Sequence, residues 1–253
     1  MRPKDSRESI VWCRPCARGA TCASHLLEKL QKKGLTRCGK RRKVKRMNRI
    51  SLLTLAGVAA LGMQIIAAEV KQLPKPDITG GMPLMQAINQ RHSERFYDAA
   101  KPVDDQTLSE ALWVAWGVNT GGKRTIATAR NLQNMMLFVL TKEGTWKYDG
   151  AANALVKVND KNLIPLTAQQ EFVNDAPVHF LYAAKDDKWG RCHVGSAYQN
   201  VYLYATSKGM ATVIRGLIDA EGLTKELGLT GDEKVIVHQT LGWPEDETAE
   251  DAE

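Results

Sequence analysis

The chain has 253 residues and 43% hydrophobic content, enough for one domain with a substantial core plus appendages. Its formal charge of +7 would suit a nucleic-acid partner if it were evenly spread, but 16 of the 35 basic residues and only 3 of the 28 acidic ones fall at or before Arg49. The remainder carries 19 basic and 25 acidic residues, so the body of the protein is acidic and no nucleic acid is expected as a partner.

Residues 1–46 hold Cys13, Cys16, Cys22 and Cys38, with His25 among them. Cys13 and Cys16 have C-x2-C spacing, but the 15 residues between Cys22 and Cys38 are a poor second pair for a four-thiolate zinc site. The segment reads as a basic extension preceding the true start of the export signal. That signal begins at Met47-Asn48-Arg49, continues through the uncharged run Ile50–Ala68 and ends in small residues. A positive flank, an apolar stretch and a small-residue end make a signal peptide over 47–68, cleaved after Ala68. A transmembrane anchor is the alternative. Gly57 and Gly62 interrupt the run, so the expectation is export, to the periplasm, with no stable membrane anchor. Only Cys192 then remains, which excludes an internal disulfide.

Residues 69–82, with Leu73-Pro74-Lys75-Pro76, read as an extended arm. The globular domain is expected over 83–244, followed by an acidic tail at 245–253. Pro83 suits the first turn of a helix whose apolar Leu84, Met85 and Ile88 run up to Arg91. Asp104-Asp105 starts a second helix, with Leu108, Leu112, Ala115 and Trp116 at three- and four-residue spacing. Its tryptophans read as core. Asn119–Arg124 is a basic turn. Met135–Thr141 is an apolar run of strand length, and Trp146–Tyr148 with Ala154–Val158 forms a hairpin around Asp149-Gly150. Phe172 closes a brief helix and Pro177–Ala184 reads as a central strand. A helix apolar nearly all round spans Gly195–Met210, beginning near His193, and such a helix must be buried. Ala211–Gly216 then runs into a helix carrying Leu217, Leu223 and Leu227, and Lys234–Leu241 is the last strand.

The chemistry concentrates in Arg91-His92-Ser93-Glu94-Arg95, where two guanidinium forks and a hydroxyl make a compact anion-binding set. Asn131 and Gln133, just before a buried strand, either bond the edge of a planar ligand or close a turn. His92, His179, His193 and His238 lack metal-ligand spacing and read as structural, with His238 a hydrogen-bonded core histidine. Cys192 reads as a lone buried cysteine.

In this order the motifs resemble those of the FMN-dependent nitroreductase family. Arg91-His92-Ser93-x-Arg95 is similar to its opening R-x-S-x-[R/K], and Ala129-Arg130-Asn131-Leu132-Gln133 to its S-x-N-x-Q turn. Gln199-Asn200 with Gly209-Met210 is similar to its Q-N…G-L helix, and Val213-Ile214-Arg215-Gly216 to the segment over the flavin ring.

The resemblance implies an α+β fold with a central mixed or antiparallel sheet flanked by helices, an intertwined homodimer, and FMN at the subunit interface. It implies a cofactor-binding set of Arg91, His92, Ser93, Arg95, Asn131, Gln133, Val213, Ile214, Arg215 and Gly216. Arg91 and Ser93 would take the phosphate, Arg95 the pyrimidine edge, Asn131 and Gln133 the ring edge, and the N–H groups around Ile214 to Gly216 would face N5. No side chain would be catalytic and no metal is expected. The implied activity is a ping-pong two-electron reduction of an electron-poor small-molecule acceptor, nitroaromatic or quinone-like, with NAD(P)H as a possible donor. The alternatives are a flavin-dependent dehydrogenase of the azoline-oxidising kind and a non-catalytic flavin-binding dimer.

Two departures stand out. Many members have a basic residue after the last strand, whereas here Gly242-Trp243-Pro244 leads into Glu245-Asp246-Glu247, leaving Lys123 or Arg124 as substitutes. Arg215 stands where many members have Glu. Export also separates the protein from the cytosolic NAD(P)H pool.

Overall fold

The computed structural model describes residues 68–245; the segment before Ala68 and the tail beyond Glu245, with the cysteine cluster and most of the signal peptide, lie outside the described residues. Seven strands form one sheet: β1 Val70–Gln72, β2 Met135–Thr141, β3 Gly144–Asp149, β4 Ala154–Asn159, β5 Val178–Lys185, β6 Ala211–Arg215 and β7 Glu233–Gly242. Their spatial order is β1-β4-β3-β2-β5-β7-β6, and every pairing is antiparallel. Four α-helices accompany the sheet: α1 Leu84–Gln90, α2 Asp105–Trp116, α3 Lys188–Lys208 and α4 Ala220–Glu226. None of the helices among the described residues is long and apolar enough to cross a membrane.

Strand β5 is central because it is apolar on both faces. All of its residues except Lys185 are buried, and it pairs with β2 on one side and β7 on the other. The two-residue period of a strand sends alternate side chains to two separate cores. Leu137, Val139, Phe180 and Tyr182 join α2 and α3 in the larger core. Phe138, Leu140, Leu181 and Ala183 join Leu223 and Leu227 of α4 and its flank in the smaller one. The sheet is therefore covered on both faces.

Local chemistry sets the helix ends. Asp104 caps α2, its carboxylate accepting from Thr107 N at 2.7 Å, and Asp187 caps α3 by accepting from Gly190 N at 2.8 Å. Gly209 ends α3 in the left-handed conformation, φ 68°, which glycine adopts without a Cβ penalty.

Several boundaries differ from expectation. The long helix begins at Lys188, not near His193, because the Asp187 cap starts it. Residues Ala211–Arg215 are an edge strand and not the approach to a helix. Leu217 lies outside the following helix and is 54% exposed. The brief helix around Phe172 is a 3-10 turn, Glu171–Asp175. Within the expected arm, Val70–Gln72 pairs with β4 as the seventh strand. Cys192 is exposed on α3 and not buried, since its side of the first turns faces away from the sheet.

Candidate functional site

Helix α1 ends at Arg91, whose N–H still bonds Ala87 O at 3.0 Å. The following residues run extended, and Glu94 N donates to Thr212 O of β6 at 3.1 Å. The Glu94 carboxylate turns back onto its own backbone, accepting from Arg95 N at 2.6 Å and Phe96 N at 3.0 Å. Tyr97, buried, then anchors the run to β7 through Thr240 Oγ1 at 2.6 Å. The consequence is a stiff segment laid along the free edge of the sheet, with Arg91 and Ser93 half-buried and Arg95 exposed. Neither guanidinium forms an ion pair among the described residues, so two positive charges beside a serine are left for an anion. His92 stitches the turn locally, its Nδ1 2.9 Å from Gln90 O and its Nε2 3.9 Å from Glu94.

Tyr202, on α3, joins this segment to β6. Its hydroxyl lies 2.9 Å from Ser93 Oγ and accepts from Ile214 N at 2.9 Å, while the Arg91 guanidinium carbon sits 5.2 Å from its ring centroid. Sequence reasoning placed Tyr202 on a buried helix and assigned it nothing. A hydroxyl one and a half turns before the helix end was the available signal, but helical periodicity cannot show which strand a tyrosine reaches.

The N–H groups around Ile214 sort themselves by strand alternation. Thr212 O and Ile214 N face away from β7, so Val213 and Arg215, in register with Thr240 and His238, turn their N–H groups toward it. Ile214 N is engaged by Tyr202. Gly216 N–H, just past the end of β6, has no protein acceptor among the described residues. Of the run expected to face the flavin, that one donor is free. Val213 is buried.

The Arg215 side chain points inward, only 5% exposed. It donates to Thr167 O at 2.8 Å, Gln170 Oε1 at 3.0 Å and Leu217 O at 3.2 Å, and lies over the Phe172 ring. A charged side chain at this position is thus compatible with a backbone site beside it. His238 approaches Arg215 through Nδ1 at 3.4 Å and His179 through Nε2 at 3.2 Å, the two imidazoles stacked at 5.4 Å. Burial lowers His179 to about 4, and burial together with His179 and Arg215 holds His238 well below the ordinary histidine value, so both rings are neutral. The core role expected of His238 is what the geometry shows.

The second expected half-site is the turn before β2. Arg130, Asn131 and Gln133 all have positive φ, 51°, 55° and 45°, a costly conformation for residues with a Cβ. Gln133 closes the turn: its amide donates to Asn131 Oδ1 at 2.9 Å and its carbonyl accepts from Arg124 Nε at 3.0 Å. His193 on α3 fastens the turn from beneath, Nε2 accepting from Ala129 N at 2.8 Å. Its proton therefore sits on Nδ1, which reaches Asn134 Oδ1 at 2.8 Å. Burial lowers the basicity of that ring. The Asn131 side-chain amide hydrogens have no protein acceptor among the described residues.

Tyr202 and His193 are nine residues apart on α3, about 13 Å along the axis at 1.5 Å per residue. The helix thus contacts the arginine segment through Tyr202 and the amide turn through His193. Arg124, proposed above as a source of the missing charge, is engaged at Gln133 and Trp116 O, and stacks on Trp116 at 4.3 Å. The cation at the exit of β7 is Lys101, 4.4 Å from the Trp243 ring.

The molecule is therefore an α+β protein: a fully antiparallel sheet covered on both faces, with an arginine-rich segment along its free edge and a strained amide turn pinned by the same helix. The sequence profile described as the nitroreductase family matches residues 88–243. A protein of Methanocaldococcus jannaschii named as a candidate nitroreductase is 28% identical over 170 residues, covering 58% of this chain and 85% of its own. The crystal structure of a candidate nitroreductase from Ralstonia eutropha superposes with a TM-score of 0.65 at 32% identity, covering 70% of this chain and 90% of its own. One from Anabaena variabilis shares the fold, with a TM-score of 0.56 at 18% identity over 70% of this chain and 42% of its own. The chain belongs to the nitroreductase family. In general class it is a flavin-type oxidoreductase.

Proposed function

We propose that this protein binds FMN and passes two electrons, in ping-pong order, from a reduced donor to an electron-poor small molecule of nitroaromatic or quinone type. The observation that carries the reading is the pair of arginines without carboxylate partners, beside Ser93 and the free Gly216 N–H, on one edge of a nitroreductase fold. When bound, FMN supplies reversible hydride chemistry at its N5. Arg91 and Ser93 hold the phosphate with a charge-assisted fork and a hydroxyl. Arg95 stands at the pyrimidine edge, where a fixed cation favours the negative charge that reduction brings. Asn131 and Gln133 border the ring, Asn131 through its free amide. Gly216 N–H would donate to the flavin ring, and Arg215, from within, fixes the neighbouring backbone. His92 and Val213 support the flanking chain.

The reading includes a homodimer. Leu84, Met85 and Ile88 of α1 are 62%, 75% and 50% exposed, an apolar strip on a seven-residue helix that a second copy would cover. Beside it, a cleft of about 430 Å³ between α1, α2 and α3 is lined by Leu84, Trp113, Leu203 and Tyr204. It also includes export by the 47–68 signal. In that setting the donor is a reductant other than cytosolic NAD(P)H, which remains the reagent for assay.

The test is the visible absorption spectrum of the purified protein supplied with FMN. A flavin spectrum at one FMN per chain, bleached by a nicotinamide donor and restored by a quinone, is the expected result. Flavin bound but never reduced by any donor would favour a binding protein. The variant Arg91→Ala should weaken FMN binding roughly tenfold, by removing one charge-assisted pair, and unchanged flavin content would sink the phosphate assignment.

A further inference from the structure

Ser93 is useful to an anion only if its hydroxyl proton points away from the protein, and the hydrogen bonds around it decide that direction. Ile214 N–H can only donate, so at 2.9 Å the Tyr202 oxygen is its acceptor. The phenol proton must then find an acceptor of its own, and Ser93 Oγ at 2.9 Å is the one it has among the described residues. Ser93, accepting from Tyr202, keeps its own proton free and turned outward beside Arg91. The Tyr202 ring meanwhile stands 5.2 Å from the Arg91 guanidinium carbon and restricts where that cation can swing. The chain of donors therefore runs from Ile214 N–H through Tyr202 to Ser93 and out, each bond polarising the next. Glu94 N–H, bonded to Thr212 O, keeps the Ser93 segment in register with β6 while this happens.

We propose that Tyr202 is a positioning residue for a phosphomonoester: it orients the Ser93 hydroxyl and the Arg91 guanidinium toward the phosphate, and ties that end of the site to the β6 edge. The proposal rests on the FMN reading above and deepens it. Nothing in it requires Tyr202 to touch the flavin ring.

The test is a fluorescence titration of the full chain with FMN and, separately, with riboflavin, which has the same ring and no phosphate. Tyr202→Phe keeps the ring and removes only the hydroxyl. It should weaken FMN binding roughly five- to tenfold and leave riboflavin affinity unchanged, as expected for loss of one neutral hydrogen bond that orients Ser93. Ser93→Ala should show the same ligand selectivity, and adding Tyr202→Phe to it should cost little more, because the two hydroxyls act in series. Equal weakening of FMN and riboflavin, or fully additive losses, would overturn the proposal. Thermal melts of each variant separate that outcome from a chain that has failed to fold, and Ser93→Ala carries the test if Tyr202→Phe melts early. Wild-type protein that binds neither ligand would overturn the flavin reading and this proposal with it. Wild-type protein that binds both equally would overturn the phosphate placement alone and leave the flavin reading standing.

Discussion

At the scale of single residues, the buried imidazoles carry the clearest consequence. His179 and His238 sit neutral beside the Arg215 guanidinium, with no carboxylate among their hydrogen-bond partners. Folded, His179 holds its proton only below about pH 4, against 6.5 for an ordinary histidine, and His238 and His193 shift in the same direction. Between those values the unfolded chain binds protons that the folded protein refuses, so stability falls as pH falls. His179 alone accounts for about 3 kcal/mol of that loss across the window. Urea unfolding measured from pH 6.5 down to 4.5 should therefore show a steadily dropping midpoint, before carboxylate protonation contributes. A flat profile above pH 4.5 would mean that the pair is already charged in the folded state. Arg91, Ser93 and Gly216 were singled out from their motif, and their place in the site stays a proposal. Tyr202 and the inward turn of Arg215 were not, because both depend on which strand a side chain meets across the fold.

At the scale of elements, α2 and α3 are locked together by Glu110. Only 4% exposed, it accepts from Gln106 Nε2 at 2.8 Å and Tyr204 at 2.9 Å, and pairs with Lys208 at 2.9 Å. Burial alone would raise its carboxyl, but the Gln106, Lys208 and Tyr204 bonds outweigh burial and hold it below the usual value. Glu110→Gln removes the charge while keeping the shape, and should lower unfolding free energy by about 1 to 2 kcal/mol, read from the urea midpoint at neutral pH. A smaller change would mean that Lys208, which is half exposed, finds equivalent solvation elsewhere. Helix periodicity found both helices, and the caps Asp104 and Gly209 are visible as residue types. The start of α3 was not, since Lys188–Cys192 has no apolar stripe and only the Asp187 cap marks it. Edge strand β6 was hidden for the opposite reason: four consecutive apolar or β-branched residues, Ala211 to Ile214, beside a helix carry no alternation to read.

At the scale of the whole molecule, an apolar strip on α1 is left uncovered among the described residues. If a second copy covers it, Met85→Asp should shift sedimentation from dimer toward monomer, because an exposed carboxylate at the strip would have to be buried without a partner. A dimer unaffected by that change would place the subunit contact elsewhere. The fold class, the order of the elements and the family were determined by the sequence itself, since apolar runs, caps and motif order are local properties that survive without coordinates. The tertiary structure alone decided that the sheet is antiparallel throughout, that Val70–Gln72 completes it, and that Tyr202 links Ser93 to Ile214. It also decided that Arg215 faces the core. These depend on pairing and approach between residues far apart in the chain, and no periodicity along one segment encodes its partner on another.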